Sequence, residues 1–185
     1  VEQILASHTK VHGAGELRVM EELMLPIMMG QVGQNKRYEK TKLFLNEVGA
    51  IRNSYIETLT ALKVSESIIT DKMPLNFRWI GFILSAFPSA KIVHLKRDPR
   101  ATCWSIYKNY FSSGGNGYAY DMDNLAEFYN LYTDLMSFWR ERFPTNIYDL
   151  CYENLTENQE EETRGLLNFC SLEWEEECLD FHKTK

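Results

Sequence analysis

Several absences narrow the field before any motif is considered. Only four cysteines occur, Cys103, Cys151, Cys170 and Cys178, with no Cys-x-x-Cys pair and no histidine at metal-ligand spacing. That argues against structural zinc. Cys103, Cys151 and Cys170 lie in apolar stretches and are expected to be small core residues, in keeping with a reducing, cytoplasmic compartment. Disulfides between distant cysteines stay open at this point. No run is long and apolar enough to span a bilayer, and the first residues carry neither the basic region nor the apolar core of a signal peptide. No internal repeat is visible. Positive charge is in the minority, with 20 Lys and Arg against 26 Asp and Glu and a formal net charge of −6. A general nucleic-acid binder needs clustered positive charge, so this balance argues against one while leaving room for a single anion in a local basic pocket. Prolines number five, and 44% of the 185 residues are hydrophobic against 25% charged. This is the composition of one globular domain, residues 1–185, with a real core.

The stretch from Lys91 to Tyr110 organises the rest. An apolar run, Ile92-Val93-His94-Leu95, closed by Lys96 and Arg97, reads as a short buried strand. Asp98 is a good N-cap and Pro99 suits the first helical position, where its missing N–H costs nothing, so a helix follows directly. A strand feeding a capped helix brings the first-turn N–H groups to the carboxyl end of the sheet, a preformed anion site. Arg97 stands at its mouth, and Ser105, two turns in, can offer a hydroxyl. On physics alone, an ordinary strand-end ion pair of Arg97 with Asp98 and a plain helix serine are the favoured reading.

The run from Lys91 to Ser105 resembles the 3′-phosphate-binding segment of sulfotransferases that use 3′-phosphoadenosine 5′-phosphosulfate (PAPS). It is most similar to the branch holding tyrosylprotein sulfotransferases and bacterial sulfotransferases that often carry tetratricopeptide repeats. The resemblance implies that Arg97 and Ser105, eight residues apart, hold the 3′-phosphate. It extends over nearly the whole chain. It also implies a first strand and a Gly- and Ser-rich 5′-phosphosulfate loop ahead of Val1, and a basic segment after Lys185. The chain is accordingly expected to be a partial domain, truncated at both ends.

In chain order, residues 1–8 are in helical register, 9–15 read as a small loop, and residues 16–29 return to helical periodicity. Glu16 at that helix start has an ordinary role open to it, since acids favour the first turn. Gly15-Glu16-Leu17-Arg18 also resembles the family segment whose glutamate is the catalytic base and whose arginine lies at the substrate site. A carboxylate is ionised at neutral pH and ready to accept a hydroxyl proton. His12 ranks second as a base or substrate-site residue; His8 and His94 read as hydrogen-bonded residues of a helix face and a strand. Residues 30–40 are a polar linker. A long helix over 38–62 places Leu43, Leu45, Val48, Ile51, Tyr55, Ile56, Leu59 and Leu62 on one packing face, with Gly49 weakening it by about 1 kcal/mol. In the family this variable region helps to shape the acceptor pocket.

Residues 67–72 read as a second buried strand, and 73–76 as a turn into a helix over 77–87. Lys72 closing that strand can be merely solvated. The Asp71-Lys72-Met73-Pro74 pattern, however, resembles the family lysine that reaches the departing phosphate, a role suited to a mobile point charge. Residues 111–118 form a glycine-rich loop without the GxxxxGK pattern of a phosphate cradle and read as a flap over acceptor or nucleotide. A long helix from about Asp121 to Phe143 carries an aromatic stripe at core spacing. Residues 146–151 read as a third strand, followed by Tyr152-Glu153-Asn154-Leu155, where the family usually has Tyr-Glu-Asp-Leu and its tyrosine can lie by the adenine. A helix over 156–170 and a short last helix over 172–181, with solvated glutamates, complete the chain.

Strands alternating with helices predict an α/β fold, a mainly parallel sheet flanked by helices. The resemblance adds a P-loop-NTPase-like sulfotransferase fold. It implies transfer of a sulfuryl group from PAPS to a hydroxyl acceptor of unknown class, without a metal, leaving the 3′,5′-bisphosphate (PAP). Two other classes stay open, a nucleotide or nucleoside kinase and a non-catalytic nucleotide-binding or scaffold protein. The former would require ATP and magnesium and ignore a 3′-phosphate.

Overall fold

A computed structural model describes residues 1–31, 37–112 and 115–183, with side chains described outside 26–47. The side chains of Leu43 and Leu45 of the long packing face, the middle of the 30–40 linker and Ser113 and Gly114 of the glycine-rich loop lie outside what is described. The chain divides into two compact units, Val1–Ala90 with Glu173–Lys185, and Lys91–Leu172.

The first unit contains α1 (Glu2–Ala6), β1 (Val11–Gly13), α2 (Val19–Gln31), α3 (Arg37–Ala61), β2 (Ile68–Thr70) and α4 (Ile80–Ala86), the last entered through a 3-10 turn, Pro74–Trp79. β1 and β2 pair in parallel, Val11 opposite Ile68, His12 opposite Ile69 and Gly13 opposite Thr70. Residues 11–13, expected in a loop, are therefore a strand. Three residues including a glycine and a histidine are too few to show alternation, and only the distant partner strand defines them. α2 begins at Val19, not Glu16. Glu16 is thus removed from the helix first turn, and its ordinary role as a dipole-favoured acid falls away. Met20, Met24, Ile51, Trp79 and Ala86 form the core, packed by Leu23, Val48, Tyr55, Phe82, Ile83 and Phe87. Ile56, assigned to the packing face, is instead 41% exposed. α3 runs through Gly49 without interruption.

Among the described residues no α-helix forms after Leu172; the segment makes two 3-10 turns, Glu176–Cys178 and Phe181–Lys183. It is tied to α1's end. The buried His8 ring accepts from the Lys10 N–H through Nδ1 (3.1 Å) and meets the Glu173 carbonyl through Nε2 (3.1 Å). Thr9 donates its N–H and its hydroxyl to the Glu175 carboxylate, at 2.7 and 2.6 Å. Glu175 is therefore a clasp rather than one more solvated acid. Cys178 is fully buried, whereas Cys103, Cys151 and Cys170 are only half-buried, the reverse of the expected order.

The second unit contains β3 (Ile92–Lys96), α5 (Pro99–Tyr107), a 3-10 turn Gly117–Tyr120, α6 (Met122–Arg142), β4 (Ile147–Cys151), α7 (Tyr152–Glu157) and α8 (Gln159–Phe169). β3 and β4 pair in parallel over five positions, from Ile92 opposite Ile147 to Lys96 opposite Cys151. Parallel pairing needs a long crossover, which α5 and α6 supply. Asp121 caps α6 by accepting from the Asn124 N–H (2.9 Å). Leu125, Met136, Leu150, Leu155, Leu166 and Leu167 are buried. β3 is half-buried rather than buried, with Leu95 45% exposed, and the aromatic stripe of α6 leaves Phe138 44% exposed.

The architecture is thus mixed α/β, with small parallel sheets flanked by helices. Among the described residues the strands form two separate pairs, not one sheet. Local periodicity marks strands but carries nothing about which strand neighbours which. No helix among the described residues is long and apolar enough to cross a membrane.

Candidate functional site

Parallel strands end on the same edge, so the residues leaving β1 and β2 emerge together. After Gly13 the chain stays beside β2: Ala14 N–H donates to the Thr70 carbonyl (3.0 Å), and Lys72 N–H to the Gly15 carbonyl (2.8 Å). Gly15 takes φ +69°, a left-handed conformation that strains any side-chain-bearing residue, and its N–H is held by Glu2 Oε1 (2.8 Å). The turn delivers Glu16 directly to Lys72, whose Nζ forms an ion pair with Glu16 Oε1. Both side chains are about half-exposed, 49% for Lys72 and 52% for Glu16. Such a pair is worth only about 0–1 kcal/mol, so a ligand can part it readily.

Asp71 holds this edge from beneath. Its Oδ2 accepts from the Tyr55 hydroxyl (2.6 Å) and from Asn76 Nδ2 (3.3 Å), while Oδ1 accepts from the Leu17 N–H (3.3 Å). Burial pushes the Asp71 carboxyl up, and these three bonds pull the other way. Burial, then the hydrogen bond and charge of Asp71, push the Tyr55 phenol up strongly. Arg18 is largely exposed and pairs with Glu21 (3.6 Å), which Arg78 also approaches (3.9 Å). His12 stands on β1 with its carbonyl accepting from the Thr70 hydroxyl (3.4 Å).

The second unit repeats the device. Lys96 faces Cys151, so Arg97 and Tyr152 leave β3 and β4 side by side, and the Arg97 guanidinium lies 5.2 Å from the centre of the Tyr152 ring. Glu153 ties the two exits together, accepting from the Asp98 N–H (3.0 Å) and the Cys151 thiol (3.3 Å). Asp98 caps α5, accepting from the Ala101 N–H (2.9 Å), with Arg100 3.7 Å from its other oxygen. The Ala101 N–H, then Arg100, hold the Asp98 carboxyl below the usual carboxylate range. Pro99 brings no N–H, and the cap takes that of Ala101. Of the first-turn N–H groups expected to face an anion, that of Ala101 is thus engaged by the cap. Arg97 does not pair with Asp98 here; it stacks on Tyr152. Ser105 is half-buried on α5, its carbonyl accepting from Asn109 Nδ2 (2.6 Å).

Behind these residues His94 bridges three elements. Nδ1 meets Asp149 Oδ1 (2.6 Å) and Nε2 meets the Tyr132 hydroxyl, while Arg140 Nε reaches Asp149 Oδ2 at 2.8 Å. Burial is the main influence and pulls the imidazole down, against the pull of Asp149.

The sequence singles out Glu16, Lys72, Arg97, Ser105, Tyr152, Arg18 and His12, and the structure joins Glu16 to Lys72 and Arg97 to Tyr152. It missed Asp71 and Glu153, which stand inside the two motifs that were quoted for their neighbours. Their signal was being an acid beside a strand end, where a loop N–H needs an acceptor.

Side chains presented at the carboxyl ends of parallel strands are the ordinary ligand-facing arrangement of open α/β proteins. Comparison with known proteins makes the assignment definite: the chain belongs to the sulfotransferase family, whose family model matches residues 1–176. Membership brings enzymatic potential at the level of that family. An uncharacterized protein of Aquifex aeolicus (strain VF5) is 36% identical over 191 residues, an alignment covering all of this chain and 25% of that protein. The chain spans about a quarter of that relative's length.

Proposed function

We propose that the protein transfers a sulfuryl group from PAPS to a hydroxyl-bearing acceptor, as part of the branch with tyrosylprotein and bacterial repeat-linked sulfotransferases and with a P-loop-NTPase-like fold. In this reading residues 1–185 are one partial catalytic domain. The observation that carries it is the ion pair of Glu16 with Lys72, an acid and an amine converging from two parallel strand ends. Within a family defined by sulfuryl transfer, these are the two groups that an in-line displacement requires.

Glu16 accepts the proton of the acceptor hydroxyl as the new S–O bond forms. Lys72 receives the charge gathering on the bridging oxygen as its bond to sulfur breaks, the electron pair staying with PAP. Entry of an anionic donor draws Lys72 away from the ion pair and frees Glu16 to act as base. Arg97, with its guanidinium over the Tyr152 ring, suits the 3′-phosphate, and Ser105 adds a hydroxyl. Tyr152 has 41% of its surface exposed and can also face a purine. Arg18 and His12 are the candidate acceptor-side residues. The scheme calls for no metal, because amino-acid donors meet the charge that develops.

Calorimetric titration with PAP and with AMP tests the nucleotide half. A preference for PAP of at least tenfold is expected, since charge-assisted bonds to one phosphate contribute about 1.5–3 kcal/mol. Equal affinities, or dependence on ATP and magnesium without regard to a 3′-phosphate, would favour the kinase reading instead.

A further inference from the structure

We infer that Asp71 is a positioning residue for Glu16, fixing by hydrogen bonds where the carboxylate stands relative to Lys72. The inference rests on the functional reading above for its catalytic consequence, and on geometry alone for the placement.

Glu16 lies between two backbone clamps. On one side the Gly15 carbonyl is held by the Lys72 N–H, at 2.8 Å. On the other the Leu17 N–H is held by Asp71 Oδ1, at 3.3 Å. Consecutive residues of one strand exit therefore grip the residues flanking Glu16. Asp71 touches neither the Glu16 carboxylate nor the Lys72 amine in its hydrogen bonds; it acts on the loop that bears the base.

The clamp is itself anchored. Tyr55 on α3 and Asn76 in the 3-10 turn both donate to Asp71 Oδ2, so the carboxylate joins four segments of the first unit. A half-buried acid pushed up by its surroundings yet given three donors is well placed to hold backbone rather than to exchange protons. Asn76 Oδ1 is buried without a hydrogen-bond partner. A turned-over Asn76 amide can therefore present an acceptor to an asparagine placed at 71, which lets that variant keep the frame.

The variants Asp71→Ala, Asp71→Asn and Tyr55→Phe, with Glu16→Gln as reference, separate the possibilities. Loss of the clamp should lower kcat by about ten- to a hundredfold in Asp71→Ala, as misplacement on the scale of 1 Å does, with donor KM changed less than twofold. Asp71→Asn should recover to within a few-fold of the parent, and Tyr55→Phe should fall between. In a Glu16→Gln background Asp71→Ala should add little, because the base it positions is already gone. Amide exchange at Leu17, followed by NMR, should quicken in Asp71→Ala whatever the activity. Unchanged exchange at Leu17, an Asn variant as poor as Ala, or kcat losses that simply multiply with Glu16→Gln would each overturn the inference. Faster Leu17 exchange together with a Glu16→Gln enzyme of normal turnover would uphold the placement while refuting Glu16 as the base.

Discussion

The stacked pair of Arg97 and Tyr152 makes the sharpest prediction, because one ligand senses it and a near-identical ligand does not. Arg97→Ala removes a guanidinium that sits 5.2 Å from the centre of the Tyr152 ring, at the point where β3 ends. If that guanidinium grips the 3′-phosphate, its charge-assisted hydrogen bonds contribute about 1.5–3 kcal/mol, a loss of about 10- to 150-fold in PAP affinity. AMP has no 3′-phosphate and should lose less than twofold. Arg97→Lys keeps the charge but loses the planar fork and the stack, so PAP should weaken to an intermediate degree. Tyr152→Leu leaves the arginine in place without its platform. An exposed cation–π contact is worth about 0.5–1 kcal/mol, so PAP should weaken about two- to fivefold from that cause. Calorimetry with both nucleotides at low and high salt is the assay, and the Arg97 effect should shrink as salt rises. Parallel losses for PAP and AMP in Arg97→Ala would refute the reasoning, since they would place the arginine on a part common to both ligands or in the fold itself.

Three further outcomes follow from the same structure. His94 faces Asp149, Tyr132, Arg140 and Lys96, and burial lowers its folded pKa beneath the ordinary 6.5. The stability it contributes is therefore present above about pH 6.5 and lost as pH falls through the lower folded value; denaturation from pH 8 to 5 should show this, and His94→Gln should flatten that part of the curve. Thr163 on α8 is fully buried with no partner for its hydroxyl. Thr163→Val should stabilise by about 1 kcal/mol, a rise of about 2–4 °C in Tm, and a fall in Tm would mean the hydroxyl is satisfied after all. Gly15→Ala meets no atom within 4 Å, so its cost is backbone strain at φ +69°, about 1–2 kcal/mol in chemical denaturation. Gly49→Ala in the open middle of α3 should stabilise by up to about 1 kcal/mol, and serves as its control.

The helices were legible because their evidence is local. Asp98 and Pro99 announce the start of α5 and Asp121 that of α6, whereas the helix expected over 156–170 divides at Asn158 into α7, which begins at Tyr152, and α8. β2, β3 and β4 were legible as short apolar runs closed by charge. β1 was not, because Val11-His12-Gly13 has no pattern of its own and becomes a strand only by pairing with Ile68–Thr70. The 172–181 segment misled in the opposite way. Its glutamates suit a helix, but Glu175 is drawn to Thr9 and Glu173 to His8, and those long-range bonds outweigh local preference. Of the site, residue types and spacing pointed to Glu16, Lys72, Arg97, Ser105 and Tyr152 through resemblance. The clamps that hold them, Asp71 and Glu153, were hidden because a hydrogen bond to a loop N–H leaves no periodic trace.

Both clamps follow from one property of parallel pairing. Two parallel strands stop at the same edge, so the next residues of each leave in company although they are far apart in sequence. Each exit frees backbone N–H groups that the ladder no longer satisfies, and a nearby acid is the simplest acceptor. At the first edge Asp71 takes the Leu17 N–H, and the residue between the two exits is Glu16. At the second, Glu153 takes the Asp98 N–H, and the residues carried past each other are Arg97 and Tyr152. In both cases a structural carboxylate sits next in sequence to a chemically useful side chain, Lys72 in one and Tyr152 in the other. The acid that repairs the end of the ladder therefore also fixes the opposite exit, the one bearing Glu16 at the first edge and Arg97 at the second. If the proposed roles of Glu16 and Arg97 hold, substitution at either acid should be felt at the exit it clamps before it is felt in the core, as selective loss of turnover for Asp71 and of PAP over AMP preference for Glu153.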